Sequence, residues 1–140
     1  MKVIHINSDN EILLEEAKRI RIKVFVEEQN VPFEEDWDGV KSENYLIYKG
    51  NKPVGTMRWR ELETKIKIER VAVLLEYRNK GIGTKLVRTV IEEIRLLSNK
   101  PIILHSQILA LPLYKRLNFE PYGEIFYEAN IAHYAMEFKG

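Results

Sequence analysis

The spacing of apolar residues along the chain predicts alternating strands and helices. In the first half, the run Lys2–Ile6 predicts a strand, and apolar residues at i, i+4, i+7 and i+11 predict an amphipathic helix. These helical positions are Leu13, Ala17, Ile20 and Val24. The polar, acidic segment 27–38 predicts a loop with room for one short helix. Glu43–Tyr48 and Val54–Leu62 are predicted to form a hairpin, because Gly, Asn and Pro separate them.

The second half carries the pattern of a parallel strand–helix–strand unit. Lys65–Leu75 alternates and then becomes continuously apolar, which is typical of a strand entering a buried sheet. A glycine-containing loop leads to a long helix with apolar positions Ile82, Leu86, Val90, Ile94 and Leu97. The helix is predicted to end at residues 98–101, before a short buried strand at Ile102–His105. The remaining predicted elements are a helix and two strands, at Leu109–Leu117, Tyr122–Tyr127 and Ala132–Phe138.

This order of elements predicts a single α+β domain over residues 1–140. A mixed, mostly antiparallel central sheet would contain the parallel βαβ unit and carry helices on both faces, which gives a three-layer sandwich. A chain of this length buries roughly two-thirds of the surface that its unfolded form exposes, so its core needs no covalent staples.

Composition and charge argue against several classes of function and site. The chain has 22 Lys plus Arg and 21 Asp plus Glu, and this balance argues against a dedicated nucleic-acid binder. It contains no cysteine, which excludes disulfides, thiolate nucleophiles and cysteine-ligated metals. The histidines His5, His105 and His133 lack the spacing of metal ligands, so no metal is expected. Because no signal-like or membrane-length apolar run is present, we expect a cytoplasmic protein without a membrane partner.

The loop Arg78-Asn79-Lys80-Gly81-Ile82-Gly83 is the segment that most directly indicates chemistry. Its glycines let backbone N–H groups face outward, and the N-terminus of the following helix attracts anions. The side chains of Arg78, Lys80 and Thr84 would add charge and a donor. The loop matches neither a Walker A motif nor a dinucleotide fingerprint, since the third glycine of the latter would fall on Leu86. A phosphate or diphosphate is the expected ligand.

Three segments carry a family resemblance: Glu69–Val73, Tyr77–Gly83 and Leu113–Phe119. Together they resemble the GNAT superfamily of acetyl-CoA-dependent N-acetyltransferases. Val24–Pro32 and the tail 124–133 resemble a branch of small, poorly characterised bacterial members. The resemblance spans essentially the whole chain and implies a GNAT-like fold.

The resemblance also implies roles for individual residues. The coenzyme A diphosphate would be bound by Arg78, Asn79, Lys80, Gly81, Ile82, Gly83 and Thr84. The pantetheine arm would pair with the backbone of Val71, Ala72 and Val73, beside a bulge, and Tyr114 would protonate the departing thiolate. Acetyl-CoA would thus be a co-substrate whose acetyl group passes to a primary amine by direct attack. Such a reaction needs no covalent enzyme intermediate and suits a chain without cysteine.

Three residues are candidates for the catalytic base: Glu69, Glu28 and His133. Strand alternation places Glu69 on the same face as Val71 and Val73. Glu28 lies in the acidic segment, which we expect to form one wall of the acceptor site. His133 lies on a late strand, on the same face as Ala135 and Glu137.

Other residues have more than one interpretation. His105 ends a predicted buried strand and is expected to be a hydrogen-bonded core histidine. Arg21 and Arg70 either hold acidic groups of the acceptor or pair with nearby carboxylates. The acidic run is a solvated loop or, if it lines the acceptor cleft, favours a cationic amine. The run consists of Glu34, Glu35, Asp36 and Asp38, and Trp37 within it is a packing residue or part of a substrate wall.

Asn118 and Asn130 stand where the family usually has glycine. Asparagine tolerates left-handed backbone conformations better than other side chains, so the turns are expected to survive.

Two further function classes are compatible with these patterns. A coenzyme A-binding sensor or regulatory module would keep the phosphate loop but show no amine-dependent turnover. An RNA-binding domain would use the basic loop and bind in a salt-dependent manner, although the balanced net charge disfavours it. The acceptor itself is left open between a small molecule and a peptide amine. A homodimer through an exposed sheet edge or the final strands is the expected partner arrangement.

Overall fold

A computed structural model describes residues 1–36 and 38–140, apart from the side chain of Glu35. Seven strands form one mixed sheet in the order β1-β2-β3-β4-β5-β7-β6. The strands are β1 (Lys2–Ile6), β2 (Glu43–Lys49), β3 (Lys52–Glu61), β4 (Ile66–Val73), β5 (Ile102–Gln107), β6 (Phe119–Glu128) and β7 (Ile131–Phe138). The helices are α1 (Glu11–Arg21), which continues as a π-helix (Ile22–Glu28), α2 (Phe33–Asp36), α3 (Ile82–Leu97) and α4 (Leu111–Arg116). Trp37, one predicted wall of the substrate site, lies outside the described residues.

The predicted α+β class and element order are confirmed, and the boundaries move for identifiable reasons. Strand β3 begins at Lys52 because Gly50, in a left-handed conformation with φ +63°, and Asn51 suffice for the turn. Strand β6 begins directly after Asn118, whose φ of +68° confirms the expected left-handed turn. Strand β5 continues to Gln107, so His105 lies inside this strand and not at its end.

Helices cover both faces of the sheet and divide the core into two layers. Helix α3 contributes the larger layer, with Leu86, Val87, Val90 and Ile94 fully buried. Helix α1 contributes the smaller layer on the opposite face. The predicted apolar stripe of α3 is confirmed except at Leu97, which is exposed in the last turn.

The first helix departs from the predicted α-helical pattern. Its α-helical hydrogen bonding ends at Arg21, and a π-helix carries the chain through Glu28. A π-helix has wider turns than an α-helix, and such segments are frequent at functional sites. Val24 still reaches the core from this segment, while its neighbour Phe25 is only partly buried.

A bulge interrupts β4 in the middle of the sheet. Arg58 pairs with Glu69 and Thr56 pairs with Ala72, so two residues of β4 oppose Met57 alone. Arg70, the first of the two, has a left-handed φ of +56°.

The bulge reverses the side-chain alternation of β4. Ile68 packs in the α3 layer, and Val71 and Val73 pack against that same layer, whereas Ala72 belongs to the α1 layer. The predicted common face of Glu69, Val71 and Val73 is therefore wrong, because the extra residue shifts the period-two pattern by one position.

Strands β4 and β5 pair over only three residues. Their parallel register joins Ile66–Ile68 to Ile102–Leu104 and then stops, although both strands continue. The two strands are the parallel pair of the predicted βαβ unit, connected by α3. Beyond Ile68 the edge of β4 that faces β5 has no strand partner, which leaves a gap in the centre of the sheet.

No helix within the described residues is long and apolar enough to cross a membrane.

The core layer formed by α3 generates a stability prediction. Leu86→Ala removes a fully buried side chain and is expected to lower the free energy of unfolding by about 2–5 kcal/mol in urea denaturation. The matched control is Leu96→Ala on the same helix, where the side chain is 87% exposed. The control is expected to change the free energy by about 0.5 kcal/mol or less. Equal effects of the two substitutions would contradict this packing arrangement.

Candidate active site

The gap between β4 and β5 opens into a cleft of about 490 Å³. The π-helix, the turn between β6 and β7, and α4 complete its walls. The lining residues that the sequence analysis singled out are Glu69, Arg70, Val71, Ala72, Val73, Arg78, Asp36, His105, Tyr114 and His133. The cleft therefore brings together three of the predicted catalytic residues, the predicted pantetheine strand and Arg78, whereas Glu28 and residues 79–84 are not among its lining residues.

The predicted phosphate loop lies at the start of α3. Gly81 caps this helix in a left-handed conformation with φ +79°, and Asn79 is also left-handed at +61°. No hydrogen bonds within the helix satisfy the first N–H groups of α3, which include those of Gly83 and Thr84. These N–H groups and the helix dipole make the loop a site for an anion.

The side chain of Arg78 connects this loop to the π-helix. Its Nε donates to the carbonyl oxygen of Val73 at 2.8 Å. Its Nη1 and Nη2 donate to the two carboxylate oxygens of Glu28 at 2.9 and 2.6 Å. Glu28, a predicted catalytic base, thus lies beside the phosphate loop and is paired with an arginine. The contact also offsets much of the positive charge that Arg78 was expected to bring to the loop.

Tyr114 contributes a buried phenol to the cleft. It lies on α4, where its ring meets Phe119 edge-on with the ring centroids 5.8 Å apart, and it is 6% exposed. Burial raises the pKa of Tyr114 above its ordinary value, so the phenol keeps its proton at neutral pH. It can therefore donate a proton or a hydrogen bond to a group inside the cleft.

Glu69 is surrounded by three cationic side chains. Its Oε1 accepts from Arg58 Nε at 3.1 Å and from Arg60 Nε at 3.0 Å, and Lys67 Nζ lies 3.2 Å from its Oε2. Burial alone would raise the pKa of Glu69, but Arg58, Lys67 and Arg60 outweigh burial and hold the pKa below its ordinary value. A carboxylate in this environment is a weak base, and its catalytic role stays a prediction.

A second group of ion pairs holds the acidic run against the bulge. Arg58 donates from Nη1 and Nη2 to the two carboxylate oxygens of Asp38, each at 2.9 Å. Arg21 and Asp36 form a buried pair. Arg70 lies 3.3 Å from Asp36 Oδ1 and 3.4 Å from Asp38 Oδ2. Burial lowers the pKa of Arg21 to about 10, so it remains charged at neutral pH.

These contacts decide between the interpretations of the acidic run. Of the two interpretations of Arg21 and Arg70, the structure shows pairing with nearby carboxylates. The solvated-loop interpretation is wrong for Asp36, which is 2% exposed and lines the cleft, although Glu34 is exposed. Because arginines compensate both Asp36 and Asp38, these two carboxylates contribute little net attraction for a cationic amine.

A cluster of two histidines and a glutamate lies at the β6–β7 end of the cleft. His105 Nδ1 is 3.2 Å from Glu128 Oε2, and His133 Nε2 is 3.9 Å from Glu128 Oε1. Phe126 contacts both imidazole rings, edge-on to His105 and stacked on His133. The expectation that His105 is a core histidine is wrong, because its side chain is 27% exposed and lines the cleft.

A pair of glutamines spans the cleft between the end of the π-helix and β5. Gln107 Nε2 donates to Gln29 Oε1 at 2.9 Å, and Gln29 Nε2 donates back to Gln107 Oε1 at 3.4 Å. The two amides connect the π-helix to the end of β5 that pairs with β7 but not with β4, and they are 78 residues apart in the sequence. Among the described residues, no group of His, Asp and Glu has an arrangement that holds a metal ion.

Comparison with known proteins identifies the family. Residues 11–139 match the family model described as an acetyltransferase (GNAT) domain. The chain belongs to the GNAT acetyltransferases. It is 37% identical over 130 residues to YjcF of Bacillus subtilis (strain 168), described as an uncharacterized N-acetyltransferase, and the match covers 91% of this chain and 93% of the relative.

Solved structures support the GNAT fold. Escherichia coli ElaA is 25% identical, with a TM-score of 0.86 over 99% of this chain and 98% of that one. A Bacillus subtilis acetyltransferase in complex with CoA is 19% identical, with a TM-score of 0.70 over 98% of this chain and 97% of that one. The protein is thus an acyltransferase of the GNAT family.

The sequence patterns indicated ten of the residues that line the cleft of this GNAT protein but missed others, among them three polar residues that contact one another or the histidines. Glu128 was not predicted as a site residue, and neither was the glutamine pair Gln29 and Gln107. The available signal for Glu128 was its position before a left-handed turn at Ala129 and Asn130, which brings β6 back onto β7. A turn of this kind places residues on either side of it on one face of the hairpin.

The ion pair between Arg58 and Asp38 generates a pH prediction. Hydrogen bonds from Arg58 hold the pKa of Asp38 below its ordinary value of 3.8. A lowered folded-state pKa stabilises the fold fully above the ordinary value, and this contribution is lost as the pH falls through the lowered one. Asp38→Asn is therefore expected to lower the free energy of unfolding at pH 7 by about 1–3 kcal/mol. The difference in the free energy of unfolding between wild type and variant should shrink below about pH 4.

Urea denaturation between pH 7 and pH 2.5 measures this difference in the free energy of unfolding. Asp9→Asn, at an exposed aspartate before α1, is the matched control and should follow the wild type at every pH. A difference for Asp38→Asn that stays constant down to pH 2.5 would show that its carboxylate does not titrate as described.

Proposed function

We propose that this GNAT protein transfers the acetyl group of acetyl-CoA to a primary amine by direct attack of the amine on the thioester. The observation that carries the proposal is the gap between β4 and β5, which leads to the phosphate loop at the start of α3. The similar fold of the Bacillus subtilis acetyltransferase in complex with CoA supports coenzyme binding by this architecture.

The coenzyme is proposed to lie along β4 with its diphosphate on the loop of residues 78–84. The edge of Val71–Val73 that lacks a strand partner offers backbone groups to the amides of the pantetheine arm, apart from the carbonyl oxygen of Val73, which accepts from Arg78. Gly83 supports this position, since a Cβ added there would meet Val73 and Leu113 only at ordinary distances of 3.6 and 3.7 Å. Packing within the protein therefore does not require glycine at this position, whereas close approach of a diphosphate does.

The proposed reaction moves a lone pair from nitrogen to the thioester carbon. A carbon–nitrogen bond forms, the carbon–sulfur bond breaks, and the thiolate takes a proton from the phenol of Tyr114. Burial raises the pKa of Tyr114, so the phenol holds its proton until the thiolate forms beside it, and the proton that the attacking nitrogen loses then restores the phenol. No residue of the enzyme is acetylated in this sequence.

The acceptor is proposed to be a small-molecule or peptide amine that enters between the π-helix and the β6–β7 turn. A coenzyme A sensor without turnover is the alternative, and amine-dependent release of free thiol distinguishes the two. The expected homodimer stays a prediction. Exposed Tyr122, Ile125 and Tyr127 on the edge strand β6 offer it a surface.

Acetyl-CoA titration of a Gly81→Glu variant tests the phosphate loop. The new carboxylate places negative charge at the N-terminus of α3, and calorimetry is expected to show binding weakened about 100-fold or more. Gly50→Glu is the matched control, because Gly50 is also left-handed and also has open space around its Cβ position. Wild-type affinity is expected for this control. Equal affinities of the two variants would contradict the assigned loop.

Tyr114→Phe tests the proposed acid. Loss of the phenolic proton is expected to lower kcat about 100-fold or more, with the acetyl-CoA dissociation constant unchanged. The control is Tyr122→Phe on exposed β6, which should keep wild-type kcat. Thiol release and calorimetry on the same samples measure both quantities. Unchanged turnover in Tyr114→Phe would remove this residue from the mechanism.

A further inference from the structure

The β6–β7 end of the cleft carries polar atoms that the proposed acetyl transfer has not yet used. His105 on β5 and His133 on β7 are diagonal neighbours in the sheet, and the side chain of Glu128 at the end of β6 approaches both rings. The three side chains line the same cleft as Tyr114 and the unpaired edge of β4. His133 is buried to a side-chain exposure of 10%, whereas Glu128 is about half exposed.

The partners of the imidazole rings fix where their protons lie. His133 Nδ1 is 2.6 Å from the carbonyl oxygen of Ile131, and a carbonyl only accepts hydrogen bonds. The Nδ1 atom therefore carries a proton, and Nε2 of the neutral ring keeps its lone pair. His105 Nδ1 likewise faces a carboxylate oxygen of Glu128 and donates to it. This hydrogen bond holds the pKa of Glu128 below its ordinary value, so Glu128 is ionised at neutral pH.

Two acceptor atoms therefore lie close to one another in the cleft. Glu128 Oε1 is negatively charged, His133 Nε2 carries a lone pair, and the two lie 3.9 Å apart. This separation is too long for a hydrogen bond between them. For a nitrogen about 2.8 Å from both atoms, the angle between them at the nitrogen is roughly 90°. This is about 20° narrower than the angle between two N–H bonds of an ammonium group, so each hydrogen bond bends only slightly from linear.

We propose that Glu128 Oε1 and His133 Nε2 together receive the ammonium group of the acetyl acceptor, and that His133 takes one of its protons. The proposal rests on the proposed acetyl transfer and adds the acceptor's binding site and base to it. The neighbouring charges are compatible with a cation there. Lys67 faces Glu128 but is held 3.2 Å from Glu69, and His105 donates to Glu128 through Nδ1.

The proton balance of the full step closes with these groups. An ammonium nitrogen loses two protons when it becomes an acetamide. The first passes to His133 Nε2, which frees the lone pair for attack, and leaves to solvent after turnover. The second leaves the nitrogen as the carbon–sulfur bond breaks, and it replaces the proton that Tyr114 has given to the thiolate.

Steady-state kinetics with defined amines test this site. The probes are acetyl-CoA with butylamine, 1,4-diaminobutane, glucosamine or lysine methyl ester, followed by thiol release. Glu128→Gln is expected to raise the KM of the amine about tenfold or more while kcat changes less. Glu120→Gln is the matched control, because Glu120 is an exposed glutamate on the same strand. It is expected to leave both constants unchanged.

Chemical rescue tests the base separately. His133→Ala is expected to lower kcat about 100-fold or more, and added imidazole should restore part of it. Pyrazole has nearly the same shape but is a much weaker base, so it should restore nothing. Acetyl-CoA calorimetry on each variant establishes that it is folded, and if His133→Ala fails this check, the half-exposed Glu128→Gln decides the proposal.

The outcomes separate this proposal from the proposed function. Amine kinetics of Glu128→Gln that match those of Glu120→Gln would overturn the ammonium site, as would equal rescue by imidazole and pyrazole. Binding of acetyl-CoA by the wild type without transfer to any of the four amines would favour the coenzyme A sensor and overturn both proposals. Absence of acetyl-CoA binding by the wild type would instead overturn the proposed function on which the site rests.

Discussion

The rest of the structure depends on the place where the parallel hydrogen bonding between β4 and β5 stops. Three residue pairs hold the strands together, and the bulge at Arg70 lies directly beyond them on β4. A bulge bends its strand and increases the local twist, so continued pairing with a regular neighbour is disfavoured. The centre of the sheet therefore opens at the point where side chains of α4 and the β6–β7 turn lie. A regular β4 would close the cleft and turn Val71 and Val73 to the other face.

Ion pairs hold this irregular strand in place. Arg70 occupies a left-handed conformation that costs about 1–3 kcal/mol for a residue other than glycine. Its guanidinium contacts Asp36 and Asp38, and Arg58 links Asp38 to Glu69 on the other side of the bulge. The same contacts place Asp36 of the acidic run in the wall of the cleft. The ion pair that holds Asp36 in the wall of the cleft is therefore made by the same residue, Arg70, whose backbone is strained.

The fold and the loop proposed to bind the coenzyme were predictable because local patterns encode them. The apolar spacing around Leu86 specified α3, and Gly81 between a buried strand and this helix specified a phosphate loop. The role expected of Tyr114 came from the family resemblance of the segment Leu113–Phe119. Asn118 was assigned a left-handed turn from its residue type alone, and its backbone has this conformation.

The acceptor end was less predictable because non-local contacts determine it. The bulge shifts the alternation of β4, and nothing in the residue types of β4 announces that Arg70 is left-handed. Glu28 pairs with Arg78, which lies 50 residues away in the sequence. Nothing in the acidic neighbourhood of Glu28 indicated this partner. Glu128 becomes recognisable as a site residue only when β6 and β7 bring it beside His133.

A crystal structure of the protein with coenzyme A tests the central claim most directly. The account predicts the pantetheine arm in the gap between β4 and β5, with the diphosphate on the N–H groups at the start of α3. The coenzyme sulfur should lie within hydrogen-bond distance of Tyr114 Oη. Coenzyme A bound elsewhere, with the gap between β4 and β5 unfilled, would contradict the account.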